Sequence, residues 1–317
     1  QAFPYFNNDL VRQTLLGTAT DLGETGPDAV FGYGLLNIGK AIKGPAKFDW
    51  GDVVVDLDQL GLGSVWSNDI SGAGGLIKRG KGGLRLSGIN TYSGDTRIEL
   101  GGLTLLDGAS IRSNVIIAGP AEPFTPALQL YGDSRVIGNV DNAGLIVMSD
   151  DIGVGTIQGD YLQRNSARML VWLGASALHV TGTATLDGRV VVAGAVTGYV
   201  PQDGTRQDLV HAEGGIQGQF SAPVSVAQNI GFSLLAADYG YDANNAWLDI
   251  DRVNVTTAAA SMANARTMSS AARVEQAFEQ LDGNIIGRTG DFAVGAAALQ
   301  QVDGGLQGLR SSLDSLS

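Results

Sequence analysis

Two histidines, His179 and His211, are all the imidazole that this 317-residue sequence contains, so histidine acid–base chemistry or an imidazole-bound metal has to start from one of them. His179 lies in ALHVTG (177–182), where Leu178 and Val180 share one face of a strand and His179 points to the other, towards solvent. His211 ends DLVHA (208–212) without a metal-ligand pattern beside it, so a metal site there has to be assembled from distant parts of the chain. Asp150-Asp151 is a close carboxylate pair on a loop, but neither an EF-hand nor a glycine–aspartate nonapeptide surrounds it. GASAL (174–178) lacks the second glycine of a nucleophile elbow. GYGLLN (32–37) matches the first two glycines of a dinucleotide loop, yet Asn37 fills the third place and no strand–helix unit encloses it. No catalytic, cofactor-binding or metal-binding residue is assigned on these grounds, and no cofactor is called for.

The elements around these residues are short and closely spaced. In GGLRLSGINTYSGDTRIELGGLTL (82–105), apolar residues come in brief alternating bursts closed off by glycine, asparagine or serine. Further bursts are VVVDL (53–57), LIK (76–78), NVIIA (114–118), ALQLY (127–131), RVIGNV (135–140), LIVMS (145–149), MLVWLG (169–174), RVVVAG (189–194), FSLLAADY (232–239) and AWLDID (246–251). Strands this short bury too little in a hairpin sheet. Coiled with three strands to a turn, they stack an apolar column inside and leave the turn residues at the corners. A mainly β fold follows, a right-handed parallel β-helix over 51–252, with a sandwich or propeller as the competing arrangement. At ~22 residues per turn and ~4.8 Å between paired strands, the rod has about nine turns and is roughly 45 Å long.

The flanks differ. Residues 1–50 read as α/β: Leu10, Val11, Thr14 and Leu15 are helically spaced behind Asn7 or Asn8 as N-cap, and Leu35, Leu36, Ile38, Ala41 and Ile42 suggest a second short helix ended by Gly44-Pro45. Two helices in about 50 residues cannot stand alone, so this segment needs a partner that the chain does not supply, and it is expected to be poorly ordered or to dock differently than it would on that partner. Residues 253–317 read as a slim, alanine-rich helical linker.

Composition excludes several classes of function. A net charge of −12 repels phosphate backbones, so no nucleic-acid partner is expected. The densest basic stretch, Lys78-Arg79-Gly80-Lys81 with Arg85, reads as a solvated loop. The absence of cysteine removes disulfides and thiol catalysis, and suits a chain that crosses an oxidising compartment unfolded. No run of 18 apolar residues is present. Gln1-Ala-Phe-Pro is not a signal peptide and reads as the interior of a longer polypeptide.

Four segments carry a resemblance. LVRQTLLGTATDLG followed by VFGYGLLNIGKAIKG, within residues 1–45, is similar to the C-terminal end of a subtilisin-family serine protease domain. In that family the nucleophilic serine sits in a Gly-Thr-Ser motif shortly before this region, and the Asp and His lie further upstream; none maps onto a residue here. Residues 72–109, with LSGINTYSGDT as the specific core, resemble the passenger-associated transport repeat of Gram-negative autotransporters. GDYLQ, LHVTGTATLDGRVVV, LVHAEGGIQGQF and YDANNAWLDI, within 158–250, look like an autochaperone region, and 258–282 resembles the linker that threads an outer-membrane barrel. The resemblance implies a non-catalytic, exported stalk at the cell surface or outside the cell. Its partners are an upstream protease domain, which would act on protein substrates, and a downstream β-barrel. Two other readings stand beside it: a chain named for the serine endopeptidase of its parent, and an adhesin or carbohydrate-binding rod. Trp66, Trp172 and Trp247 are far apart in sequence and read as core or end-cap residues rather than as a sugar-binding strip.

Overall fold

The computed structural model describes residues 2–58, 63–120, 125–148, 153–196, 204–226 and 235–252, together with Thr256, Ser269, Ala272, Arg273, Glu275 and Gln276, which are helical. Asp150-Asp151 and the rest of the expected linker helix lie outside the described residues.

The chain opens with α1 (Asn8–Gly17) and α2 (Ile38–Ala41), then enters a long series of short strands. A first partial coil holds β1 (Val53–Asp56) and β2 (Gly63–Trp66). Six complete coils of three strands follow. They are β3 (Leu76–Arg79), β4 (Gly83–Leu86), β5 (Ile89–Asn90); β6 (Thr96–Ile98), β7 (Gly102–Leu105), β8 (Ser110–Ile111); and β9 (Val115–Ile117), β10 (Ala127–Leu130), β11 (Arg135–Val136). Then come β12 (Val140–Asn142), β13 (Leu145–Met148), β14 (Thr156–Ile157); β15 (Tyr161–Gln163), β16 (Arg168–Leu173), β17 (Leu178–Val180); and β18 (Ala184–Leu186), β19 (Arg189–Ala195), β20 (Thr205–Ala212). A last partial coil, β21 (Ile216–Gly218) and β22 (Ser225–Val226), precedes the hairpin β23 (Leu235–Tyr241) and β24 (Asn245–Arg252).

Each strand of the coils pairs in parallel with its equivalent one coil away, and the hairpin adds antiparallel to β20, giving three sheets of eight strands: β1-β3-β6-β9-β12-β15-β18-β21, β2-β4-β7-β10-β13-β16-β19-β22 and β5-β8-β11-β14-β17-β20-β24-β23. The fold is therefore a three-faced parallel β-helix. Strands of the first face begin at Val53, Leu76, Thr96, Val115, Val140, Tyr161, Ala184 and Ile216, so a coil takes from 19 (Thr96 to Val115) to 32 (Ala184 to Ile216) residues. Against the about nine turns expected at ~22 residues each, the rod has six complete turns and two partial ones. The difference lies in coils as long as 32 residues, and in the chain given to the closing hairpin.

Alternation in each strand sends every second side chain into one column. On the second face, Trp66, Leu86, Leu105, Leu130 and Met148 are register partners and all buried. On the third, Ile111, Val136, Ile157, Val180 and Ala212 repeat the pattern. Each large aliphatic side chain in such a stack contributes about 1.5–3 kcal/mol by leaving water.

Several polar groups in the column are hydrogen-bonded. The Tyr161 hydroxyl accepts from Asn142 Nδ2 at 3.1 Å and donates to Gln163 Oε1 at 2.6 Å. Corners are fixed by a second device. Asp52, Asn114, Asn139 and Asp160 each immediately precede a first-face strand, and their side chains accept the backbone N–H of Gly75, Asn139, Asp160 and Thr183, one coil on, at 2.8–3.0 Å. A short polar side chain at that place satisfies a backbone donor which the corner leaves unpaired.

Three local expectations change. RVIGNV (135–140) is two strands on two faces rather than one, β11 and the start of β12, because the chain turns a corner at 137–139. The second helix begins only at Ile38, capped by Asn37 Oδ1 accepting from Lys40 N, while Leu35 bridges to Thr20. The basic stretch is not a solvated loop. Arg79 pairs with Glu99, and Lys78 is a fully buried strand residue whose Nζ donates to the carbonyls of Arg79, Gly80 and Leu100.

Candidate functional site

The most distinctive surface is built by residues 3–48, which cover the first coil. Asn7 caps α1, its Oδ1 accepting from Leu10 N at 2.8 Å, and the helix turns Leu10, Gln13 and Thr14 to the inside. Phe6 stands edge-on to Trp66 with ring centroids 5.9 Å apart, and Phe48 lies 6.5 Å from Trp66 and 5.0 Å from Tyr92. Trp66 Nε1 donates to Tyr5 Oη at 3.1 Å, and Tyr5 Oη also bonds Ser64. Burial pushes the Tyr5 pKa up, against the opposing pull of the Ser64 and Trp66 bonds. Gly44, at φ +103°, lies flat against the indole, where a Cβ would come within 2.7 Å of the Trp66 ring. Asn68 Nδ2 ties the segment down by donating to the carbonyls of Lys40 and Gly44. The β-helix itself thus supplies one partner that the short segment was expected to lack.

The far side of the same segment faces outwards. Leu22, Val30, Phe31, Tyr33, Leu35, Leu36, Ile38 and Ile42 are all exposed, Val30 by 81% and Leu35 by 62%. Their backbone is shaped by polar bonds: Asp28 Oδ1 accepts from Val30 N and Phe31 N at 2.7 Å each, which holds the Asp28 carboxyl below the usual carboxylate range. Gly34 of the GYGLLN motif serves this shape rather than a dinucleotide. At φ +95° it passes so close to Thr20 O that a Cβ would meet it at 2.1 Å.

The histidines come together, which the sequence reading did not foresee. His179 on β17 and His211 on β20 are register partners on the outer side of the third face, with rings 5.7 Å apart and 27° from parallel. His179 Nε2 lies 2.9 Å from Glu213 Oε1, and His211 Nδ1 lies 2.8 Å from Asn245 Oδ1. The signal was the matched LHV and VHA strands, but only the 32-residue coil between them makes them neighbours. Among the described residues no group of three or more His, Asp or Glu is placed to hold a metal ion. GASAL lies at the corner between β16 and β17.

Of the tryptophans, Trp66 is a buried end-cap as expected. Trp172 and Trp247 instead face outwards, Trp172 beside Gly194 and Trp247 beneath the Arg206 guanidinium, 3.7 Å from its ring centre. They occupy different faces of the rod, so they do not form one binding strip. Among the described residues no helix is long and apolar enough to cross a membrane, a statement that does not bear on strands.

A stacked coil of three parallel sheets that carries a fitted segment on its first turn defines the class: a parallel β-helix. No family model matches the chain. It is 34% identical over 220 residues to the Neisserial autotransporter lipoprotein NalP of Neisseria meningitidis serogroup B, covering 67% of this chain and 20% of that protein. It is 37% identical over 151 residues to an extracellular serine protease of Serratia marcescens, covering 37% of this chain and 14% of that protein. Serotype-specific antigen 1 of Mannheimia haemolytica is 30% identical over 174 residues, with 50% of this chain and 18% of that protein covered. The chain is related to autotransporter passenger proteins and spans about a fifth or less of the length of these relatives.

Proposed function

We propose that this chain is the stalk and folding-promoting part of an exported, subtilisin-like serine protease autotransporter, itself non-catalytic and displayed at the cell surface or released outside the cell. Its partners in this reading are the protease domain that precedes it and an outer-membrane β-barrel that follows it. Residues 1–50 then finish the protease domain, 51–252 are the stalk, with the transport repeat at 72–109 and the autochaperone region at 158–250, and 253–317 lead to the barrel. The supporting observation is the stack itself: each coil offers the next a set of parallel backbone partners, and four of the first-face corners add an Asx acceptor. Folding can therefore propagate coil by coil as the chain emerges, and each folded coil opposes backward movement through a pore.

The test is the intact mass and flanking sequence of the native polypeptide, combined with peptide hydrolysis. The isolated 317 residues are expected to leave peptide bonds intact. A polypeptide extended upstream through a Gly-Thr-Ser segment is expected to cleave them and to lose that activity to a serine-directed phosphonate. Hydrolysis by the isolated chain, or a native polypeptide without an upstream enzyme, would overturn the proposal.

A further inference from the structure

Eight of the thirteen large hydrophobic residues exposed among the described residues fall between Leu22 and Ile42; the other five (Val54, Val65, Ile89, Ile116, Val154) are scattered along the rod. Scattered single exposures are ordinary, whereas apolar side chains crowded on one stretch mark an interface. This stretch is also held in place. The Thr20–Leu35 bridge, the Asp28 turn and the Asn37 cap shape it, and Asn68 and Trp66 fix its other side to the first coil. A surface fixed by polar bonds below and left apolar above is prepared for a partner rather than collapsed for want of one.

From this geometry we infer that the face formed by Val30, Phe31, Tyr33, Leu35, Leu36 and Ile38 is the seat of the domain that precedes Gln1 in the native polypeptide, so that the stalk carries the closing element of its own head. The inference rests on the reading of the chain as a stalk with an upstream domain, and adds where and through what that domain is held. Two observations favour this occupant. The related proteins are about five times longer than the part of them covered here, so most of such a polypeptide lies outside it. A second copy of this chain is a poor fit, because two bodies each carrying a net charge of −12 repel one another. Because one segment is shared, head and rod are coupled: loosening its lower side at Trp66 also removes part of the head's core.

The experiment is hydroxyl-radical footprinting of Phe31, Leu35 and Leu36 in the native full-length polypeptide and in the 317-residue chain, with sedimentation of the latter. The expected result is modification slowed by about tenfold in the long form, as for side chains passing from exposed to buried, and a monomeric short form. A Leu35→Asp/Ile38→Asp double variant is expected to remove that protection in the long form while leaving the unfolding midpoint of the short form unchanged. Equal footprints in an active, extended protease would sink the docking inference and leave the stalk reading intact. A native polypeptide without an upstream domain would sink both. A dimeric short form with these residues protected would hand the face to a second copy and overturn the inference.

Discussion

The two ends of the rod are closed by opposite means. At the first coil, a segment foreign to the coil lays aromatic edges on Trp66 and ends in an apolar surface of its own. At the last coils the sheet is ended by backbone: β24 pairs antiparallel with β20, and β23 antiparallel with β24, so the next parallel strand has no matching edge on the third face. Aromatics are present there too, but they act through hydroxyls. Tyr239 Oη accepts from Val190 N and donates to Ala222 O, and Tyr241 Oη accepts from Phe220 N. The difference teaches that one end, on the docking proposed above, is an adapter, which passes an interface onward, while the other is a stop, which closes the sheet edge.

The largest expected effect tests the adapter. Trp66→Ala removes the residue on which Phe6, Phe48 and Gly44 converge and is expected to cost about 3–5 kcal/mol. The loss should appear in urea unfolding and as faster amide exchange across 6–18, with β23–β24 unaffected. Uniform loss along the rod would show that the ends are not separate. At the stop, Tyr239→Phe removes the hydroxyl's bonds to Val190 N–H and Ala222 C=O and is expected to cost about 1–3 kcal/mol, with exchange rising at β19 and β23 only.

Raising the pH should act on stability through Lys78 and through Tyr239 in opposite directions. Burial draws the Lys78 ammonium down to about 8, against the raising effect of Asp56. Between about pH 8 and the ordinary lysine value the unfolded chain therefore holds more protons than the folded one, and stability rises with pH. Burial pushes the Tyr239 hydroxyl up to about 12. The folded state thus keeps a proton that the unfolded chain loses above the ordinary tyrosine value, and stability falls as pH climbs through the folded pKa. Exchange measured at several alkaline pH values should show the early coils tightening first and the hairpin loosening later. Lys78→Met should abolish the first change alone. The smallest effect belongs to the histidine pair: Glu213→Gln breaks an exposed contact and should shift stability by less than about 0.5 kcal/mol.

Much of this was legible from the sequence. The α1 cap at Asn7, the outward turn of His179 and most of the four-residue strands followed directly from spacing. Two-residue strands such as Ile89–Asn90 and Thr156–Ile157 were not legible, because a period of two needs more than two residues to show itself. Lys78 was misread through its charge, although strict alternation from Leu76 already placed it inside. The exposed apolar face could not be read at all. Leu35, Leu36 and Ile38 look like core residues in sequence, and only the fold shows that nothing in the described chain covers them.

The in-register stacking has a mechanical consequence. Every strand from β3 to β19 except β5 lies between its equivalents one coil before and one coil after, and β5 meets only β8, so tension applied along the axis passes through every coil junction in series. The weakest junction yields first, and the others remain closed until the load returns. Each coil that peels away frees 19 to 32 residues, roughly 65 to 110 Å of slack at the extended length of a peptide chain. Under load this rod lengthens in discrete steps, each shedding force before the next junction opens.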